Sequence, residues 1–115
     1  MKFSSNFSSL VASIMLLQGF QHVSAENFGK MCFNTNMGGT CTQFAADGIF
    51  ECVSFKGSNA FWNDVVSSLQ VYSPFSCNFF VDWDCTGKFT QYHTGTYNTV
   101  QYNDQYSSFL CGPNQ

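Results

Sequence analysis

The apolar and polar positions of the chain predict short β-strands. Residues 77–81 and 88–92 are short runs rich in β-branched and aromatic side chains, bounded by Asp, Gly and Thr, which is typical of strands. Residues 65–72 and 106–111 each have the pattern of a strand that leaves a polar loop. Because no window keeps an apolar period of about 3.6 residues, we predict an all-β domain.

Polar segments between these runs predict the turns. Residues 82–87, which end in Gly87, are predicted to form a hairpin turn between two strands. Residues 52–61 include Lys56-Gly57-Ser58-Asn59 and make the first half of the chain longer than the second. We interpret them as an enlarged loop or a short helical turn.

The chain also contains an internal repeat. Residues 63–68 and 103–108 share the order Asn-Asp, two variable residues and Ser-Ser, and an aromatic residue precedes each copy. Upstream of these copies, Gly39 aligns with Gly87. Two β-rich halves, each with a hairpin and a return strand, predict a two-sheet sandwich of two Greek-key motifs.

We call residues 63–68 the first motif and residues 103–108 the second motif. Each places four short oxygen-bearing side chains within six residues, immediately before a predicted strand. Proteins bind Ca²⁺ through about six to eight oxygen atoms from carboxylates, amides, hydroxyls and backbone carbonyls. The same residue types also form turns that cap strands, but two copies in one small domain favour a cation site.

The first 25 residues are predicted to be a secretion signal peptide. Lys2 supplies a positive charge, residues 7–20 are mostly apolar but too short to span a bilayer, and residues 23–25 end in the small-x-small pattern that signal peptidase cuts. Cleavage before Glu26 would leave a mature domain of residues 26–115. We expect this domain to be secreted and extracellular, without a membrane span.

The charge of the mature part limits its partners. The full chain has a formal charge of −3 and no arginine, and loss of Lys2 would make the charge −4. Such a surface argues against nucleic acid and anionic membranes as partners, because both are polyanions. A divalent cation is compatible with it. We expect a monomer and leave a protein or glycan partner open.

Cysteine usage predicts a cross-linked domain. An even number of cysteines in a small secreted domain indicates three disulfides, and the sequence leaves their connectivity open. Zinc is the alternative use, but no Cys-x₂-Cys pair with a nearby His supports it. The six cysteines are Cys32, Cys41, Cys52, Cys77, Cys85 and Cys111.

Taken together, these motifs resemble the βγ-crystallin family. That family carries two Greek keys per domain, each with an aromatic-x₄-aromatic-x-Gly hairpin and a calcium motif of the form Asn/Asp-Asn/Asp-x-x-Ser/Thr-Ser. Both calcium motifs are intact here. The second hairpin fits at residues 80–87 with Cys85 in place of an aromatic residue, and the first fits at residues 32–39 with Cys32 and Met37 in the aromatic positions.

The resemblance covers about residues 30–112 and implies a first Greek key at about 30–73 and a second at about 76–112. It also implies two calcium sites, each combining the motif of one key with a hairpin carbonyl of the other. One site would use Asn63, Asp64, the carbonyl of Val65 and the hydroxyl of Ser67, and the other would use Asn103, Asp104, the carbonyl of Gln105 and the hydroxyl of Ser107. The added carbonyls would come from near Thr35 and Trp83. Ser68 and Ser108 are assigned to hydrogen bonds within the folded hairpins.

Three classes of function follow from this interpretation. The first is a secreted calcium-binding module with a structural, stress or protective role. The second is a cysteine-rich toxin, antimicrobial or host-directed effector, since the crystallin-like fold also occurs among small secreted microbial toxins. The third is a hydrolase, which we disfavour: Asp82 and Asp84 occupy a predicted turn, and His93 lies at a predicted exposed strand end. Trp62 and Trp83 are interpreted as hairpin packing, with an exposed platform for sugars or a partner as the alternative.

Overall fold

The computed structural model describes residues 25–114. The predicted signal peptide, apart from its last residue, lies outside this part of the chain. The described residues form eight strands, which are β1 (Glu26–Cys32), β2 (Cys41–Ala46), β3 (Val53–Ser54), β4 (Ser68–Val71), β5 (Phe75–Phe80), β6 (Phe89–Tyr92), β7 (Gly95–Tyr97) and β8 (Ser108–Pro113). Short 3-10 turns occupy Gly57–Trp62 and Trp83–Cys85.

The strands form two antiparallel four-stranded sheets. Their orders are β2-β1-β4-β7 and β3-β8-β5-β6, so each half of the chain places three strands in one sheet and gives its third strand to the other. β3 pairs with β8, and β7 pairs with β4. The predicted sandwich of two Greek keys is confirmed, and the exchange of β3 and β7 interlocks the halves. Within residues 25–114, no helix is long and apolar enough to cross a membrane.

The two hairpins share one backbone conformation. Asn36 and Met37 in the β1–β2 hairpin have φ values of 60° and 58°, and Asp84 and Cys85 in the β5–β6 hairpin have values of 63° and 56°. Left-handed conformations in two consecutive non-glycine residues are uncommon. Their occurrence at equivalent positions shows that the sequence repeat is also a structural repeat.

A cluster of aromatic rings joins the two sheets. Phe44 of one sheet lies 5.2 Å from Phe79 and 5.1 Å from Phe109 of the other, measured between ring centroids. All three side chains are buried. Burial of such large rings dominates the hydrophobic stabilisation of a small core, and their edge-to-face geometry adds a favourable electrostatic contribution.

One pair of buried phenols is part of this core. The hydroxyl oxygens of Tyr92 and Tyr106 lie 2.6 Å apart, and the Gln101 N–H donates to the Tyr92 hydroxyl at 3.3 Å. Burial, together with the hydrogen bond to Tyr106, raises the pKa of Tyr92 far above its ordinary value. The Tyr92 hydroxyl is therefore a neutral, hydrogen-bonded core group.

The prediction of three disulfides is confirmed, and the structure supplies their pairing. The bonds are Cys32–Cys41, Cys52–Cys85 and Cys77–Cys111. Cys32 and Cys41 are directly paired residues of β1 and β2. In the second half, the same cross-strand position holds Phe80 and Phe89, whose ring centroids are 5.3 Å apart. A covalent bond thus occupies the place of an aromatic pair.

The structure corrects the bounds of two predicted strands. β4 begins at Ser68 rather than at residue 65, and β8 begins at Ser108 rather than at residue 106 and ends at Pro113. Before these strands, the carbonyls of Val66 and Tyr106 accept from the N–H groups of Asp104 and Asp64 in the opposite motif. Within the predicted loop 52–61, the short helical turn is confirmed, but β3 was missed because two residues leave no readable period.

Gly29 lies in β1 at a point of close packing. A Cβ atom at Gly29 would collide with the backbone oxygen of Gln70 and would lie 2.6 Å from Cζ of Phe44. We expect Gly29→Ala to lower the free energy of unfolding by about 3 kcal/mol, because the obstructing atom belongs to a paired strand. Gly48→Ala is the matched control, since no atom lies within 4 Å there. Urea denaturation of both variants tests this, and equal stability would contradict the packing described.

Candidate metal centre

The two motifs lie side by side and bond to each other. The Asp64 N–H donates to the Tyr106 carbonyl at 3.0 Å, and the Asp104 N–H donates to the Val66 carbonyl at 3.1 Å. Both aspartates have left-handed backbones, with φ values of 61° and 59°. Asp tolerates this conformation better than most residues, because its short polar side chain forms local hydrogen bonds. The motifs therefore form one reciprocal unit across the two halves.

Side chains also cross between the motifs. The Ser67 hydroxyl donates to Oδ1 of Asp104 at 2.7 Å, and the Ser107 hydroxyl donates to Oδ1 of Asp64 at 3.3 Å. The serines are buried, whereas the aspartates are exposed. Each carboxylate therefore lies beside a hydroxyl from the other half of the chain, which brings together two oxygen types that hard cations prefer.

The hairpin of the second half reaches the first motif. The Trp83 indole N–H donates to Oδ1 of Asn63 at 3.1 Å, and the Asn63 amide donates to Oδ2 of Asp64 at 3.3 Å. In the first half, Thr35 is an exposed residue of the equivalent hairpin, which is tied to the second half by a bond from Asn36 N–H to the Asn98 carbonyl at 2.8 Å. Each hairpin thus contacts the opposite half of the domain.

The remaining predicted donors lie within the two motifs. Val65 is half-buried, and Asn103 and Gln105 are exposed. The Gln105 N–H donates to the Tyr102 carbonyl at 3.1 Å, which closes a turn at the second motif. No cluster of three or more His, Cys, Asp or Glu side chains occurs among residues 25–114. A cation here would therefore depend on neutral oxygens and few carboxylates.

The second serine of each motif holds a hairpin, as expected from the sequence. The Ser68 hydroxyl donates to the Asn34 carbonyl at 2.6 Å and accepts from the Met37 N–H at 3.0 Å. In the second half, the Ser108 hydroxyl likewise donates to the Asp82 carbonyl of its own hairpin at 2.6 Å and accepts from the Cys85 N–H at 2.9 Å. Both serines are fully buried. They position the hairpins and have no free hydroxyl proton for other chemistry.

Sequence reasoning missed the contacts that fix the second hairpin. The Ser54 hydroxyl accepts from the Asp84 N–H at 2.9 Å, and Nζ of Lys56 lies 3.4 Å from Oδ1 of Asp84 and 5.2 Å from the centroid of the Trp83 ring. The Cys52–Cys85 disulfide joins the same two segments. Asp84 therefore anchors the enlarged segment of the first half. No local pattern signals a contact between residues so distant along the chain.

His93 and Asp84, which were considered for catalysis from the sequence, make contacts with other parts of the fold. His93 is exposed, and its backbone carbonyl accepts a hydrogen bond from the Tyr97 hydroxyl at 2.9 Å. Asp84 forms the single salt bridge found among residues 25–114, so the carboxylates of Asp64 and Asp104 are not paired with a lysine there. Their carboxylate oxygens accept hydrogen bonds from the Ser107 and Ser67 hydroxyls.

Comparison with known proteins bears on the fold. No family model and no curated protein matches the sequence. A domain solved in work on the evolution of the eye lens βγ-crystallin domain fold matches with a TM-score of 0.66 and 22% identity, covering 84% of this chain and 96% of that one. A βγ-crystallin domain from Clostridium beijerinckii matches with a TM-score of 0.61 and 20% identity, covering 73% of this chain and 95% of that one. A βγ-crystallin from Ciona intestinalis matches with a TM-score of 0.58 and 21% identity, covering 71% of this chain and 95% of that one.

These similarities, the exchanged third strands and the paired motifs define the class of fold. The chain is an all-β domain with the βγ-crystallin fold, stabilised by three disulfides. The structural similarity shows the fold alone, and the chemistry of the site depends on the residues of this chain.

The hairpin serines give a direct test of the geometry. We expect Ser68→Ala and Ser108→Ala each to lower the free energy of unfolding by about 1–3 kcal/mol, because each leaves a backbone donor and a backbone acceptor without a partner. Ser58→Ala, at an exposed position, should change it by less than about 0.5 kcal/mol. Chemical denaturation measures all three, and a stability loss at Ser58 equal to that at Ser68 would refute the assignment.

Proposed function

We propose that this protein is a secreted, calcium-binding, non-enzymatic module with a structural or protective role. The observation that carries the proposal is the pair of cross-motif contacts, Ser67 with Asp104 and Ser107 with Asp64. Each contact brings a carboxylate and a hydroxyl together from different halves. The three disulfides support the secreted location, since such bonds persist in oxidising compartments.

The donor set fits a hard divalent cation. Every predicted donor is an oxygen, and no thiol or imidazole is among them, which favours Ca²⁺ over the softer transition metals. Backbone carbonyls of Val65 and Gln105, the amides of Asn63 and Asn103, and hairpin carbonyls near Thr35 and Trp83 would add to each carboxylate and hydroxyl. Water would complete the shell, as is common for Ca²⁺.

In the proposal, the donors are grouped across the motifs. The sequence-based grouping placed Asp64 with Ser67 and Asp104 with Ser107. The contacts support the exchanged grouping, in which Asp64 and Ser107 bind one ion and Asp104 and Ser67 bind the other. Each ion would then connect the two halves of the domain, because its carboxylate and its hydroxyl come from different Greek keys.

This arrangement couples calcium to stability. A site that is complete only in the folded state stabilises that state by mass action. With one carboxylate per site, affinity should fall within the range of extracellular modules, about 10⁻⁴–10⁻³ M. At ten times the dissociation constant, each ion would add about 1.4 kcal/mol to the free energy of unfolding. A calcium-rich extracellular medium would thus raise the free energy of unfolding of the domain.

Calorimetry and thermal unfolding test the proposal. We expect the mature protein to bind two calcium ions and its Tm to rise by several degrees at millimolar calcium, since each kcal/mol shifts Tm by about 4–8 °C in a domain of this size. Asp64→Ala and Asp104→Ala should each leave one ion bound. Asp47→Ala removes the same charge from an exposed residue outside the motifs and should leave two. An unchanged Tm in the parent protein at millimolar calcium would rule the proposal out.

Double variants test the grouping of the donors. The double variant Asp64→Ala with Ser107→Ala should retain one ion, because both changes affect the same site. The double variant Asp64→Ala with Ser67→Ala should retain none, because it damages both sites. Both carry the same number and type of substitutions, so each is the control for the other. The reverse result would support grouping within each motif.

A further inference from the structure

A groove of about 330 Å³ opens between β2 and the segment that links β3 to the first motif. Its floor is formed by the buried rings of Phe44, Phe55 and Phe109. Its sides are formed by the aromatic rings of Phe61 and Trp62, and by polar side chains described below. This volume is within the range of sites for small ligands, about 300–1,000 Å³.

The repeat explains why the groove is open in one half. Val53 pairs with Phe109 between β3 and β8, and Tyr97 pairs with Leu69 at the equivalent position between β7 and β4. The Tyr97 ring packs on Tyr92 with 4.8 Å between centroids. The side chain of Val53 is much smaller than that of Tyr97 and has no ring to fill the equivalent space. The first half therefore has a groove where the second half has an aromatic ring. The groove is therefore a specific feature of the first half.

The enlarged segment supplies an aromatic side to the groove. Phe61 is 67% exposed and lies in the Gly57–Trp62 turn. Its ring centroid is 5.1 Å from that of Phe33, which is also 4.8 Å from the centroid of Trp62. An exposed ring held in place by other rings is preorganised for contact, and clustered exposed apolar surface commonly marks a binding site.

The lining determines the chemistry of a ligand. None of the residues that line the groove is charged, so a charged ligand would lose hydration without gaining a partner. A purely apolar ligand would cover the amides of Gln43 and Asn59 and the hydroxyl of Ser58 without satisfying them. A suitable ligand is neutral and has both apolar faces and hydroxyl groups.

We propose that this groove binds a sugar ring of a neutral oligosaccharide. The C–H face of a pyranose packs on the exposed face of Phe61, which removes apolar surface from water. Its hydroxyl groups exchange hydrogen bonds with Gln43 and Asn59, whose amides can both donate and accept. The inference is independent of the calcium proposal, because none of the carboxylates and hydroxyls assigned to calcium lines the groove.

The test follows backbone amide shifts of ¹⁵N-labelled mature protein by NMR. Chitohexaose, cellohexaose and laminarihexaose are the probes, each at millimolar concentration, and hexagalacturonate is the charged control. Titrations are run in calcium and in EDTA, so that failure of the calcium sites does not affect the result. At least one neutral probe should shift the amides of residues 42–45 and 58–62, and hexagalacturonate should shift none of them.

Three variants locate the binding. Val53→Tyr places in the groove the ring that Tyr97 supplies in the second half, and it should weaken binding at least about tenfold. Phe61→Ala changes an exposed side chain, leaves the core intact and should weaken binding about fivefold or more. Phe89→Ala removes another exposed aromatic side chain, outside the groove, and should leave the affinity unchanged.

Any of three results would overturn the inference: no shift with any neutral probe, equal binding of hexagalacturonate, or equal loss of affinity in Phe89→Ala and Phe61→Ala. Circular dichroism confirms the fold of each variant. If Val53→Tyr fails to fold, the comparison of Phe61→Ala with Phe89→Ala decides the outcome.

Discussion

The structure depends on a reciprocal exchange between its two halves. Each half gives its third strand to the other sheet, and the aspartate N–H of each motif donates to a carbonyl of the opposite motif. Separation of the halves would leave β3 and β7 without partners and expose backbone groups that need hydrogen bonds. It would also divide the aromatic cluster around Phe44 and Phe79. Neither half is a self-sufficient folding unit.

The same exchange creates the candidate metal centre. Because Asp64 and Asp104 adopt left-handed backbones and bond to the opposite motif, their carboxylates meet the serine hydroxyls of the other half. The serines that follow, Ser68 and Ser108, are occupied with hairpin backbones. The two adjacent serines of each motif thus have different roles. The first bonds to the aspartate carboxylate of the opposite motif, and the second bonds to the backbone of a hairpin. Fold and candidate site are consequently built from the same hydrogen bonds.

Sequence patterns predicted the features that depend on local order. The strand runs, the repeat and the hairpin of residues 82–87 are local, and so are the two Asn-Asp-x-x-Ser-Ser copies, which the resemblance to βγ-crystallins then placed in a fold. The features that were missed depend on pairing between distant residues. The hydrogen bonds between the serines and aspartates of opposite motifs, the contact of Lys56 with Asp84 and the groove beside Val53 all arise from how the halves dock. Periodicity carries no information about such pairings.

The pairing of the cysteines determines how the protein would respond to cleavage. Cys32–Cys41 lies within the first half and Cys77–Cys111 within the second, whereas Cys52–Cys85 joins the two. The connection between β4 and β5 contains the exposed residues Ser73 and Pro74. If a protease cut the chain there, the severed fragments would remain one covalent molecule and would separate only after reduction. The Cys52–Cys85 bond would thus keep a cleaved chain together as one molecule.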